Sequence, residues 1–439
     1  MTVLEYVKKS AKRLSKKVED IKEVQQLYED RVFAKKIALE TAQKNGWLVY
    51  GGSAIDDMLP ADEKLYNYPF VGDVDIMCPD PEPASKELAW NLHNSGIAFV
   101  ESRPSRANDG TYNIKGMHIG SIADVSFIDI NAFNALKRKS TKEPFVPYEY
   151  TLCAFHCEFS QPHRSPERHS KLLYRFGKLF AAAPFIFDPL TLQKDVTNSG
   201  VKSKKKVLSA MKKAGLKKPF VGVSASLESL GLEPIAEFEV LSDTPLEDAQ
   251  MLSLEPARIT GTSSGLQGLP EEHHITLEGR SLRVQMSFLK NRYCHHYVEI
   301  GKNELRGGAH TLLYFLFMRL LFDDEVQVPL VRSVIGALYQ ELFTTNVPPK
   351  ALRTFEEDAR CLGPTRTFHE AIQSKFQQAK ALPAYWPWRD KSRTPGPDAF
   401  DPKIQTVRRG SMDSVVDLAC RKPAVEASSP NHSFKRELW

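Results

Sequence analysis

Long apolar runs are missing from this sequence. The richest, residues 312–322, is about half the roughly 20 residues that a membrane-spanning helix needs and stops at Asp323-Asp324, so it reads as a buried helix and no membrane is expected as a partner. Residues 1–40 mix both charge signs and have no apolar stretch of the signal-peptide kind. Cysteine is scarce and scattered, at 78, 153, 157, 294, 361 and 420, which excludes a disulfide framework and suggests reduced thiols in a cytoplasmic compartment. Cys153, His156 and Cys157 lack the second ligand pair of a zinc finger, and His295, His296 and His310 read as ordinary polar or core residues. A strong charge of one sign is also absent. The 59 Lys and Arg nearly balance 54 Asp and Glu, so basicity acts locally or not at all.

The chemistry lies in Val49-Tyr50-Gly51-Gly52-Ser53-Ala54-Ile55 and Gly72-Asp73-Val74-Asp75-Ile76. Residues 47–50 form a short apolar strand, residues 54–59 can begin a helix, and residues 71–77 are again strand-like. On a strand Asp73 and Asp75 share one face, while Val74 and Ile76 point into the core. Two carboxylates held this close repel each other, and a pair of Mg²⁺ or Mn²⁺ ions would remove that cost. Gly52 lets backbone N–H groups approach phosphate, and Ser53 would add a hydroxyl at a helix N-terminus. The pairing describes a nucleoside triphosphate held over Gly52 and Ser53 with metal beneath it.

Two-metal nucleotidyl transfer calls for a third carboxylate on a neighbouring strand, and residues 122–129 offer Asp124 and Asp129. Their odd separation puts them on opposite faces of a regular strand, so only one joins the site. Asp124 is preferred because it follows an apolar segment as Asp73 does, with Val125 and Phe127 expected to face the core. Asp129 is the fallback, with a strand-end cap as its other reading.

At these residues the chain resembles the poly(A) polymerase catalytic subunits of large cytoplasmic DNA viruses, of the poxvirus and giant-virus type, over about residues 40–180. The resemblance rests on Gly51-Gly52-Ser53-Ala54-Ile55, Asp73-Val74-Asp75-Ile76 and Ala123-Asp124-Val125-Ser126-Phe127. It implies a polymerase-β-like palm, ATP as substrate, Mg²⁺ or Mn²⁺, and an RNA 3′ end as acceptor. It also implies a cytoplasmic site of viral replication, with packaging in the virion an open alternative. Asp73, Asp75 and Asp124 then hold metal and carry catalysis. The span between Ser53 and Asp73 is longer than in many members of the superfamily, with Asp56-Asp57 and the Tyr66-Asn67-Tyr68-Pro69 loop inside it.

The expected architecture is α+β: an N-terminal helical arm (1–46), the palm (47–147), a helical segment with a basic tract (148–218), a second α/β domain (219–310), a helical region (311–382) and a loosely ordered tail (383–439). Asn108-Asp109-Gly110 predicts a hairpin in the palm. Arg168, Lys171, Arg175 and Lys178 stripe one face of a helix over 165–182 and suit the triphosphate. Residues 201–218 are the most basic stretch, and Lys204, Lys205, Lys206, Lys212 and Lys213 are assigned to RNA phosphates. No second Gly-Ser and Asp-x-Asp pair is read in 219–310, so that domain is expected to be non-catalytic and to serve RNA binding or self-association. Helices are expected over 312–322, 328–343 and 351–379. Tyr385-Trp386-Pro387-Trp388 would dock on the body or stack on bases.

The expected activity is template-independent addition of AMP to RNA 3′ ends, with a homodimer or a processivity subunit as candidate partners. The alternatives are a nucleotidyltransferase acting on a small molecule or a protein, and a non-catalytic RNA-binding processivity subunit.

Overall fold

The computed structural model describes residues 22–105, 110–161, 166–183, 197–252, 261–262, 272–279, 282–290, 295–300, 304–322, 328–344, 360–362 and 384–400. They form an α+β structure with two mixed sheets. Helix α1 (Lys22–Asn45) leads through strand β1 (Leu48–Tyr50) into α2 (Gly51–Met58), β2 (Val74–Cys78) and α3 (Pro81–Asn94). Strands β3 (Glu101–Pro104), β4 (Thr111–Gly116) and β5 (Gly120–Phe127) complete a sheet of order β1-β2-β5-β4-β3. Asn108 and Asp109 of the predicted hairpin turn lie outside the described residues, but β3 and β4 pair antiparallel as that turn requires.

Alternation along these strands decides where the carboxylates point. Val49, Val74, Ile76, Ala123 and Val125 are fully buried on one face, packed with Ala34, Ala38 and Ala42 of α1 and Leu88, Ala89 and Leu92 of α3. Burying each such leucine is worth about 2 kcal/mol. Leu48 and Met77 enter a second core on the other face, and Asp75, two residues before Met77, points that way. Asp73 precedes the strand rather than lying in it. Phe127, the last residue of β5, is 39% exposed, contrary to the sequence expectation.

Helices α4 (Ile130–Lys139), α5 (Tyr148–Phe159), α6 (Pro166–Ala182) and α7 (Thr197–Lys213) connect to the second sheet. That sheet is built from β6 (Pro219–Val221), β7 (Glu237–Ser242), β8 (Gly261–Thr262), β9 (Glu272–Gly279), β10 (Leu282–Lys290), β11 (His295–Ile300), β12 (Glu304–Gly307) and β13 (Arg360–Leu362), in the order β13-β11-β12-β6-β7-β10-β9-β8. Helices α8 (Gly222–Ser229), α9 (Pro245–Leu252), α10 (Ala309–Phe322) and α11 (Val328–Thr344) pack beside it. The apolar run seen in the sequence is α10, buried nearly all round. A helix over 351–379 is corrected: of that span the described residues are 360–362, a strand paired with β11. Among the described residues no helix is long and apolar enough to cross a membrane.

The second sheet repeats a detail of the first. Tyr50 stands opposite Asp75 in the antiparallel β1–β2 pair, and Val221 stands opposite Glu239 in β6–β7. Each turn into a helix uses a glycine at positive φ, Gly51 at 66° and Gly222 at 73°. The Ser53 Oγ donates to the Asp73 carbonyl at 2.8 Å, and the Ser224 Oγ to the Glu237 carbonyl at 2.6 Å. No second Gly-Ser and Asp-x-Asp pair stands in 219–310, but the structure places a counterpart of the first motif there. Gly222-Val223-Ser224 and Glu237-Phe238-Glu239 are that counterpart, hidden in sequence because valine replaces a glycine and glutamates replace aspartates. The copy differs at its centre. Arg319 of α10 donates to Glu239 through Nε at 2.7 Å and lies 2.6 Å away through Nη2, and Ser287 stands in register with Glu239 where Asp124 stands with Asp75.

Three histidines knit the interior. The Nδ1 atoms of His156 and His310 lie 2.9 Å apart, His156 Nε2 meets the Tyr339 hydroxyl at 2.5 Å, and His295 Nδ1 meets Ser160 Oγ at 2.7 Å. Burial, followed by the neighbouring His310, holds His156 well below the ordinary histidine range, and burial lowers His295 to about 3. Both groups take up protons below about pH 6.5 in the unfolded chain but not in the folded one, so stability falls as pH drops below that value. Between pH 7 and pH 5 His295 alone costs about 2 kcal/mol. Urea unfolding at the two pH values measures this, and a His295→Gln variant, no longer carrying that titration, shows a smaller drop.

Of the segment after 383, residues 384–400 pack on the body, and 401–439 lie outside the described residues. Tyr385 and Ser102 exchange backbone hydrogen bonds of 2.9 and 3.0 Å, adding a bridge to the outer edge of β3. Phe400 packs edge-on to Phe99 at 4.6 Å, and the Arg389 guanidinium lies 4.4 Å over Trp388. The aromatic patch docks on the body.

Candidate active site

Site geometry begins with Gly51. A Cβ at that residue would lie 2.1 Å from the Asp75 Oδ2, so only glycine lets the turn and the carboxylate coexist. Asp75 accepts a hydrogen bond from the Gly52 N–H, yet its carboxyl is pushed up to about 7, first by burial and then by the charges of Asp73 and Asp124. Asp124 stands in register with Asp75 on the adjoining parallel strand and accepts from Asn113 Nδ2 at 2.6 Å. Burial raises its pKa, and the Asn113 bond opposes that. Asp129 is elsewhere: it caps α4, accepting from the backbone N–H groups of Asn131 and Ala132.

Ser53 is buried and spends its hydroxyl on the Asp73 carbonyl. Here it fixes the backbone that presents Asp73, so its hydroxyl proton is not offered to phosphate as the sequence reading had it. Gly52 is approached by Tyr66, whose hydroxyl would lie 2.1 Å from a Cβ on that glycine. Arg175 Nη2 donates to this hydroxyl at 2.8 Å. Lys178 donates to the Glu63 carbonyl at 2.8 Å, Lys171 lies on the exposed side of α6, and the Arg168 side chain is outside the described residues.

The structure thus brings Asp73, Asp75, Asp124, Gly52 and Arg175 together, adds Tyr66 from the loop already marked in the sequence, and adds Asn113 and Lys35, which the sequence did not single out. Lys35 of α1 lies 4.9 Å from the Tyr66 ring centroid. Burial lowers its pKa against the pull of Asp56 and Asp73. Its sequence signal was a lysine on the inner side of an otherwise alanine-rich helical stripe.

In the basic tract, Lys204 is an internal group at 14% side-chain exposure, bonded to Glu228 and Glu304 at 2.6 Å, and cannot serve as a surface cation. Lys205, Lys212 and Lys213 are exposed, and Lys206 is half-buried. Nearby, Lys217 pairs with Glu299 and Lys218 with Asp248.

Among the described residues no three His, Cys, Asp or Glu side chains close on one point as a metal cage would. The donor chemistry nevertheless fits a hard divalent cation: Asp75 and Asp124 stand in register on adjoining strands, Asp73 lies just before the first of them, and Asp75 is held in a repulsion that a cation would relieve.

Residues 36–165 match the family model described as "Poly(A) polymerase catalytic subunit". The fold is similar to the crystal structure of the Megavirus polyadenylate synthase, with a TM-score of 0.70 at 16% identity over 93% of this chain and 89% of that one. No curated protein sequence matches.

Proposed function

We propose that this chain, whose residues 36–165 match the model of the poly(A) polymerase catalytic subunit family, is a nucleotidyltransferase that transfers AMP from ATP to RNA 3′ ends without a template. The observation that carries the reading is the register of Asp75 with Asp124 beside the Gly51-Gly52 turn. In the reaction a 3′-oxygen bonds to the α-phosphorus, the bond to the β-phosphate oxygen breaks, and pyrophosphate leaves.

Each residue has a role in that exchange. The N-terminus of α2 holds the β- and γ-phosphates on backbone N–H groups, and Gly52, whose own N–H is given to Asp75, leaves room for them by having no side chain. Ser53 keeps Asp73 in place. Asp73, Asp75 and Asp124 would hold Mg²⁺ or Mn²⁺, which when bound supplies charge neutralisation at the phosphates and acidifies the attacking hydroxyl. Asp124, oriented by Asn113, is placed to take the proton of the 3′-hydroxyl. Arg175, with Arg168, Lys171 and Lys178 along α6, stabilises the departing pyrophosphate. The polymerase-β-like palm is the part of the fold that carries these groups. Incubating the purified chain with a short RNA, Mg²⁺ or Mn²⁺ and each nucleoside triphosphate separately tests the reading. Extension with ATP supports it, and no extension with any triphosphate sinks it.

RNA is assigned to Lys205, Lys206, Lys212 and Lys213, with Lys204 withdrawn on account of its ion pairs. Replacing the three exposed lysines, Lys205, Lys212 and Lys213, by Gln should shorten tails per encounter and leave the apparent affinity for ATP nearly unchanged. The slope of log affinity against log salt should become shallower by about 0.7 for each RNA phosphate that is no longer neutralised. An unchanged slope with intact tail length would place RNA elsewhere.

A further inference from the structure

The loop between α2 and β2 lies where the triphosphate is expected, and it is tied down from both sides. From α2, the Asp56 Oδ1 accepts from the Leu65 N–H at 2.6 Å and from the Tyr66 N–H at 3.2 Å. From α6, Lys178 donates to the Glu63 carbonyl and Arg175 to the Tyr66 hydroxyl. The Tyr66 ring fills the space over Gly72, where a Cβ would lie 2.2 Å from its Cζ, and its hydroxyl covers Gly52. Two of the basic side chains assigned to phosphate are therefore engaged by this loop.

We propose that Tyr66 is a stand-in for phosphate: its hydroxyl occupies the cradle at Gly52 and engages Arg175 until a triphosphate displaces it. This deepens the function proposed above and rests on it. The exchange is chemically matched. A phenol oxygen accepts one hydrogen bond from the guanidinium, whereas phosphate oxygens accept two in parallel and add charge. The incoming anion therefore wins Arg175, and the α2 N-terminus gains the partner for which its dipole is suited. Lys178 exchanges a neutral carbonyl for the same anion. The hydroxyl keeps the cationic cradle partnered when no nucleotide is present, at the cost of a bond that binding must break. Apparent affinity is lowered by the fraction of molecules with the loop down.

Tyr66→Phe keeps the ring and removes the bond. Calorimetric titration with inorganic tripolyphosphate and with ATP should show the folded variant binding both about 3- to 10-fold tighter than the wild type, because less is spent in lifting the loop. A second measurement uses the wild type alone. Tripolyphosphate should accelerate trypsin cleavage after Lys64, which in the closed loop donates to the Asp56 carbonyl at 2.5 Å. Unchanged or weaker binding by Tyr66→Phe, or protection of the Lys64 bond, overturns the proposal and leaves the cradle itself intact. No binding of either ligand by wild type or variant overturns the cradle, and the proposed function with it.

Discussion

Replacing Asp73 and Asp75 together by alanine is expected to lower nucleotide addition at least about 1000-fold, since each removed group is on the scale of one transition-state-stabilising interaction, about 100-fold or more. The protein should remain folded. Val74 and Ile76, which carry the core on that strand, are untouched, and Asp75 is a buried charge facing two others. Its removal lifts a repulsion, so the thermal midpoint without added metal should rise rather than fall. RNA extension on a gel measures the first effect and calorimetry the second. Activity above a tenth of wild type in the double variant would remove these residues from the reaction.

Asp124→Asn is expected to cost at least about 100-fold in rate, with little loss of stability, because an amide at that position still meets Asn113. Asp129→Asn should leave the rate nearly unchanged. Asp129 caps α4 through two backbone N–H groups, and Asn is a comparable cap, so the stability change is also small. Asp129→Ala, which cannot cap, should lose about 1 kcal/mol with the rate still near wild type. The reverse order of rates would mean that the wrong carboxylate had been placed beside Asp75.

The first sheet was the most legible part of the sequence because local rules and the tertiary outcome agree there. Val74, Asp75, Ile76 and Met77 alternate as a strand half-facing a core should, and the core receives Val74 and Ile76 as expected. Asp124 stands in β5 beside Asp75, whereas Asp129 lies past the end of that strand and caps α4, the second reading that the sequence offered for it, so strand parity is not what separates them. Legibility fails where a side chain is claimed by a distant element. Lys204 differs from Lys205 locally only in sharing the helical stripe of Val207, Leu208 and Met211, and its partners Glu228 and Glu304 come from elsewhere in the chain. Arg175 and Tyr66 are 109 positions apart, and their bond has no local signature. Arg319, sealed against Glu239 in the second sheet, sits inside an apolar run that reads as core. Residue 360 onward was expected to be helical on pattern, yet residues 360–362 complete a sheet edge.

The bridge between Ser102 and Tyr385 has a consequence in time. During synthesis, the β3 edge emerges about 280 residues before the segment that covers it. At roughly 5 to 20 residues per second, translation takes about 15 to 60 s to deliver that segment. Through that interval the nascent chain carries an open row of backbone donors and acceptors, the kind of edge on which neighbouring chains on a polysome can pair. The flanking Glu101 and Arg103, whose ion pair stands on that strand, provide charge at the edge while it waits.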